Sequence, residues 1–184
     1  MSFSEINFGY RLVRFSYVIM RVLFTNGKDF LMSIDARLKD LGIELPSPPP
    51  AVANYVPYVV INQMVIISGQ LPIWEGQFPY LGKVGENINL EEAQKAARLC
   101  GINILTQLKM ACEGDLNRVL RCVRLGGFVN GPDDFKDQPK IINGASDLMV
   151  EVFGDKGRHA RAAVGVNSLP LGVPVEVEAM FLLK

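Results

Sequence analysis

One arginine and two glutamates carry most of the chemistry this sequence can offer. The C-terminal run alternates, with Val173, Val175, Val177, Ala179, Phe181 and Leu183 on one face of a strand. Pro174, Glu176, Glu178, Met180 and Leu182 occupy the other. The run before it places Arg161, Ala163, Gly165 and Asn167 on one face and Ala162, Val164 and Val166 on an apolar one. If these two strands pair, Arg161 lies near Glu176 or Glu178 on a face that no helix covers. As structure alone, that set is a cross-strand ion pair worth about 0.2–1 kcal/mol. As a site it does more. A desolvated arginine grips a carboxylate with two charge-assisted hydrogen bonds, and a nearby glutamate orients or deprotonates a water.

Other candidates carry less. Ser68-Gly69-Gln70 ends a strand, where a glycine lets backbone approach a ligand or simply marks a bulge. Asn143-Gly144 reads as a turn or helix feature. His159, the only histidine, stands beside Arg158 and Arg161 and reads as part of a solvated basic cluster. A single histidine leaves no room for histidine-rich metal sites and argues against a Ser-His-Asp triad. Cys100, Cys112 and Cys122 lie twelve and ten residues apart, with no zinc-ligand spacing. An odd set of cysteines fits a reducing, cytoplasmic setting. No dinucleotide, P-loop or nucleophile-elbow motif occurs.

The elements that must position these residues follow from pattern. Tyr55–Ile61 and Met64–Gly69 are rich in β-branched and aromatic residues around Asn62-Gln63, which predicts a hairpin with Pro57 marking an edge strand. Residues 71–88 read as loop. Asn89–Gly114 is the clearest helix, with Asn89 as its cap, Glu92 completing a capping box, and an apolar stripe through Leu90, Ala93, Ala97, Cys100, Ile104, Leu108 and Ala111. Gly101 within it suggests close packing. Val119–Val129 is a strand and Lys140–Phe153 a second helix, weakened by Gly144 and Ser146. Ala160–Val166 and Val173–Leu183 are the last strands. The order β-β-α-β-α-β-β predicts an α+β domain, an antiparallel-rich mixed sheet with two helices on one face. The other face, with Met180, Leu182 and the charges, calls for burial by oligomerisation.

The chain divides into three parts. Residues 1–31 carry net +2, leaving −2 on the remaining 153 of a chain with net charge zero. Tyr10–Phe24 is apolar but holds three arginines, too short and too charged to span a bilayer. The favoured reading of this part is a start called too early, with Met32 as the natural beginning; a poorly ordered extension and a membrane-surface helix are the alternatives. Residues 32–49 hold a short helix over about Ser33–Leu41 and the proline run from Leu45, a stiff lead-in. Residues 50–184 form the domain. Zero net charge gives no global pull on nucleic acid or an anionic membrane.

The segments Met64-Val-Ile-Ile-Ser-Gly-Gln-Leu-Pro, Asp134-Phe135, Ala160-Arg161, Leu169-Pro170 and Val175-Glu-Val-Glu-Ala, in this order and spacing, resemble the RidA (YjgF) family. The resemblance runs from about residue 50 to the end. It implies a chorismate-mutase-like fold, a homotrimer whose sheets form a central barrel, and three ligand clefts between subunits. It implies cofactor-free, metal-free hydrolysis of enamine or imine intermediates such as 2-aminoacrylate to 2-keto acids and ammonia. By position, Arg161 resembles the family's carboxylate-binding arginine and Glu176, fifteen residues on, the glutamate that holds water. Tyr55, Ser68, Gly69 and Asn143 match cleft residues. Ala163 stands where many family deaminases have cysteine, so only its backbone N–H can serve. Two further functions fit the same family: non-catalytic binding of a small carboxylate metabolite, and endoribonuclease or translation-inhibitor activity. The −2 core speaks against nucleic acid.

Overall fold

Alternation decides the sheet. Along β5 (Val175–Leu183) buried and half-buried residues alternate without a break, as the sequence predicts. The structure is a computed structural model that describes residues 32–47 and 54–184; the readings of residues 1–31 and of the three consecutive prolines lie outside these. Ile34–Lys184 folds as one unit. Its described elements are α1 (Ile34–Asp40), β1 (Tyr58–Ile61), β2 (Met64–Gln70), α2 (Leu90–Ala111), β3 (Val119–Asn130), α3 (Gln138–Phe153), β4 (Ala160–Val166) and β5. The sheet order is β1-β2-β5-β3-β4. The pairs β1/β2, β2/β5 and β3/β5 are antiparallel, and β3/β4 is parallel. This is the mixed α+β sheet expected, with three described helices.

The hairpin turns at Asn62, whose φ of 55° is a conformation asparagine tolerates. β1 is an edge strand but starts at Tyr58, not Tyr55. Pro57 has no N–H to give the ladder, and it contributes only its carbonyl, which accepts from Ser68 N. The capping box of α2 is present, with Glu92 N donating to Asn89 Oδ1 at 2.9 Å and Asn89 N to Glu92 Oε2 at 3.0 Å. Its stripe is buried from Ala93 to Leu108, while Leu90 is exposed. A Cβ on Gly101 would stand 2.8 Å from Leu148 of α3, so that glycine does allow close helix packing. Cys100, Cys112 and Cys122 are buried free thiols, and burial pushes Cys122 up to about 12.

Helices α2 and α3 cover one face of the sheet. Val65, Ile67, Leu125, Val129, Val177 and Phe181 point into the core beneath them. The opposite face holds Val59 and Ile61 of β1, Met64 and Ile66 of β2, and Glu176, Glu178, Met180 and Leu182 of β5, all half-buried or exposed. One expectation fails here. β4 and β5 are not neighbours, because β3 lies between them and pairs with both. The helix α3 joins β3 to a parallel partner, and such a crossover puts β4 outside β3 rather than beside β5.

Candidate functional site

Arg161 stands on the edge strand β4. Its register partner is Leu125, which in turn faces Ala179, and both are core residues under the helices. The side chain therefore belongs to the helix-covered side and not, as the sequence suggested, to the open face with the glutamates. There it meets α3. Arg161 Nη1 donates to Asn143 Oδ1 at 2.8 Å and to Ser146 Oγ at 3.1 Å. Both acceptors are neutral. None of the ion pairs among the described residues involves Arg161. The guanidinium is exposed in the single chain, and no carboxylate among the described residues pairs with its charge. Ala163 and Gly165 continue the same row; a Cβ on Gly165 would come within 3.0 Å of Gln138 Nε2.

Two residues near this arginine escape a sequence reading. Ser146 looks there like a weak helix former, but it lies three positions after Asn143 on the same helical face, and that spacing was the available signal. His159 is not a solvated member of a basic cluster. It is half-buried, with Nδ1 2.6 Å from the Gly157 carbonyl and Nε2 3.1 Å from Ser146 Oγ. Burial lowers its pKa, and the neighbouring Arg161 charge adds to that against the bond to Gly157.

The second group gathers around Glu176. Between Ile67 and Gln70 the ladder to β5 shifts by one residue, a bulge at Ser68-Gly69. Gly69 gives the carboxylate its place: a Cβ there would overlap Glu176 Oε1 and stand 2.8 Å from its Cδ. Ser68 Oγ donates to the Val56 carbonyl at 2.9 Å and so fastens the segment that carries Tyr55, itself 62% exposed. Burial raises the pKa of Glu176, and the Glu178 charge raises it further. Glu178 has its own partner, Arg124 Nη1 at 3.5 Å, and Gly126 opposite leaves room for it.

One chain thus holds two separate groups of the candidate residues. Arg161, Asn143 and Ala163 stand at the β4 edge on the helix side; Tyr55, Ser68, Gly69 and Glu176 stand around the β2 bulge, with Glu176 on the open face. Arg161 and Glu176 project to opposite faces, with β3 between their strands. A groove of about 600 Å³ lies elsewhere, between α1 and α2, lined by Leu38, Lys39, Ile43, Thr106, Lys109 and Met110, and contains none of these residues. Among the described residues no group of three or more His, Cys, Asp or Glu is arranged to hold a metal ion. No helix among them is long and apolar enough to cross a membrane.

A family model described as "YjgF/chorismate mutase-like, putative endoribonuclease" matches residues 35–180. Protein TCP17 of Trypanosoma cruzi is 44% identical over 152 residues, which is 82% of this chain and 94% of that protein. The crystal structure of protein Atu1372 from Agrobacterium tumefaciens superposes with a TM-score of 0.77 at 42% identity, covering 88% of this chain and 99% of that one. A protein of Shewanella oneidensis MR-1, named a "putative endoribonuclease", has a TM-score of 0.79 at 36% identity, covering 83% of this chain and all of its own.

Proposed function

The chain belongs to the YjgF/chorismate mutase-like family, and from that premise we propose that it hydrolyses enamine and imine intermediates of the 2-aminoacrylate type to 2-keto acids and ammonia. The observation that carries this reading is the state of Arg161. Both N–H groups of Nη1 are taken by neutral acceptors, Asn143 and Ser146. The Nε and Nη2 donors along the other edge of the guanidinium, which point the same way, have no hydrogen-bond partner among the described residues and are left for an anionic guest. A carboxylate fits that fork with two parallel hydrogen bonds. The family resemblance adds the Ala163 N–H as a further donor to the same guest.

The chemistry then asks little of the protein. The enamine tautomerises to an imine whose carbon is already electrophilic. Water adds to that carbon, giving a carbinolamine, and loss of ammonia leaves the ketone. Glu176 is the group to take the proton from the attacking water and return it to the departing nitrogen. Its raised pKa makes it a stronger base than an ordinary carboxylate. Tyr55, Ser68 and the Gly69 backbone line the same cleft. No step calls for a cofactor or a metal ion. Because one chain separates Arg161 from Glu176, the working cleft lies between copies, Arg161 from one and Glu176 from the next. The assembly is a homotrimer acting in the cytoplasm.

The test is a kinetic screen of imino acids made in situ by an amino-acid oxidase, with ammonia or keto acid as the readout. The protein accelerates their hydrolysis over buffer, and Arg161→Ala lowers kcat/KM by about 10²-fold or more. No acceleration at high enzyme concentration rejects the activity. Ala163, where many family deaminases hold cysteine, favours a second reading, in which the same cleft binds a 2-keto acid without turnover. Tight calorimetric binding with no catalysis selects it. The family description also names ribonuclease action; RNA cleavage undiminished in Arg161→Ala would detach that activity from this site.

A further inference from the structure

A hydrogen-bonded chain behind Arg161 has a fixed direction. The Gly157 carbonyl can only accept, so His159 Nδ1 at 2.6 Å carries the proton. In the neutral ring Nε2 is then an acceptor. The nearest polar group is Ser146 Oγ at 3.1 Å, which must turn its proton towards Nε2. That leaves the lone pairs of the serine oxygen for Arg161 Nη1, 3.1 Å away. Asn143 Oδ1 holds the other N–H of the same nitrogen at 2.8 Å. Two acceptors on one terminal nitrogen fix the plane of the guanidinium as well as its position. Half-burial and the neighbouring positive charge keep His159 neutral near pH 7, the state this direction needs.

We propose that Ser146 and His159 are positioning residues for the Arg161 carboxylate grip, with neutral His159 orienting the Ser146 hydroxyl so that its oxygen presents a lone pair to the guanidinium. This rests on the reading of Arg161 as the group that binds the substrate carboxylate. The chain aims the free Nε/Nη2 edge at the cleft before any ligand arrives. The ordering of a long side chain is thereby settled in the free protein, and less binding free energy is lost in fixing it. Arginine polarises the serine oxygen and serine polarises the imidazole, so the bonds strengthen one another.

The experiment compares wild type with Ser146→Ala, His159→Leu, His159→Gln, the Ser146→Ala/His159→Leu double variant and Arg161→Ala. Calorimetry with 2-oxobutanoate gives carboxylate affinity, and 2-iminobutanoate made in situ gives kcat and KM. Ser146→Ala and His159→Leu each weaken 2-oxobutanoate binding about 5- to 10-fold, the scale of one lost hydrogen bond. KM rises by a similar factor, and kcat changes little. The double variant is no worse than Ser146→Ala, since both break the same chain. His159→Gln, whose amide oxygen can accept from Ser146, recovers most of the affinity. Wild-type affinity in Ser146→Ala, with binding lost in Arg161→Ala, overturns the positioning role and leaves the arginine's role standing. Wild-type affinity in Arg161→Ala removes both. Should His159→Leu fail to fold, Ser146→Ala and His159→Gln decide the matter. A His159→Gln variant that binds as weakly as Ser146→Ala also overturns the part given to His159.

Discussion

Glu176 is held where a carboxylate is less comfortable than in water, half-buried and next to Glu178. Its folded-state pKa therefore lies above the ordinary 4.5. The native state binds its proton more tightly than the unfolded chain does, so stability falls as pH rises through that interval. The cost is fully present above the folded pKa and absent below about 4.5. A neutral isostere escapes it. Glu176→Gln is expected to melt at a higher temperature than wild type at pH 7, with the gap closing as pH drops below 4.5, followed by thermal denaturation across that range. On the proposed mechanism the same variant loses its base, and kcat is expected to fall by about 10²- to 10⁴-fold. A residue kept only as a surface charge would give neither result. From sequence, Arg161 and Glu176 stand out as candidates by residue type and family pattern, whereas the side on which Arg161 projects does not follow from alternation. The hydrogen bonds of Ser146 and His159 were not, because they join residues 13 positions apart through the meeting of a helix and a strand.

Among the elements, the strands β4 and β5 and the helix α2 could be read almost residue by residue, since each is strongly patterned. The order of strands could not. Alternation tells which side chains share a face but not which strand lies alongside, so the pairing of β4 with β3, and hence the side on which Arg161 projects, came only with the fold. Helix α3 looked weak for a related reason. Its two poor helix formers are used in contacts: a Cβ on Gly144 would overlap the Gln94 carbonyl of α2 and stand 3.1 Å from Arg98 N, while Ser146 serves Arg161. The bulge in β2 belongs to the same class. Gly69 has no left-handed φ to explain it; it is there to make room for a carboxylate. Gly69→Ala is expected to keep the fold, because the obstructed group is the end of a flexible side chain, yet to push Glu176 out of place. A displacement of about 1 Å at a reacting group costs around 10²-fold in rate. Unchanged circular dichroism together with a collapsed kcat checks it, and wild-type kcat would show that Glu176 need not occupy that spot.

For the whole molecule, the decisive fact is that Arg161 and Glu176 cannot meet within one chain. They project to opposite faces of one sheet, with β3 between their strands. A cleft that uses both must draw on two copies. The open face supplies a reason for copies to associate, since Val59 is 42% exposed and Ile61 57% exposed on a surface that also carries Met64, Ile66, Met180 and Leu182. Closed cyclic association then repeats the same junction at every interface. Two dead variants should consequently revive each other. Arg161→Ala chains retain Glu176, and Glu176→Gln chains retain Arg161. When equal amounts are unfolded, mixed and refolded together, a junction is intact only where an Arg161-bearing chain meets a Glu176-bearing neighbour in the correct order. Random assembly makes that about one junction in four in a cyclic oligomer. Activity should rise from near zero to about a quarter of wild type refolded in parallel, while each variant refolded alone stays inactive. Sedimentation of the mixture should give the mass of three 20.3-kDa chains. If the variants co-assemble and no activity returns, the two residues do not share an interfacial cleft. The carboxylate grip and the base would then have to act apart.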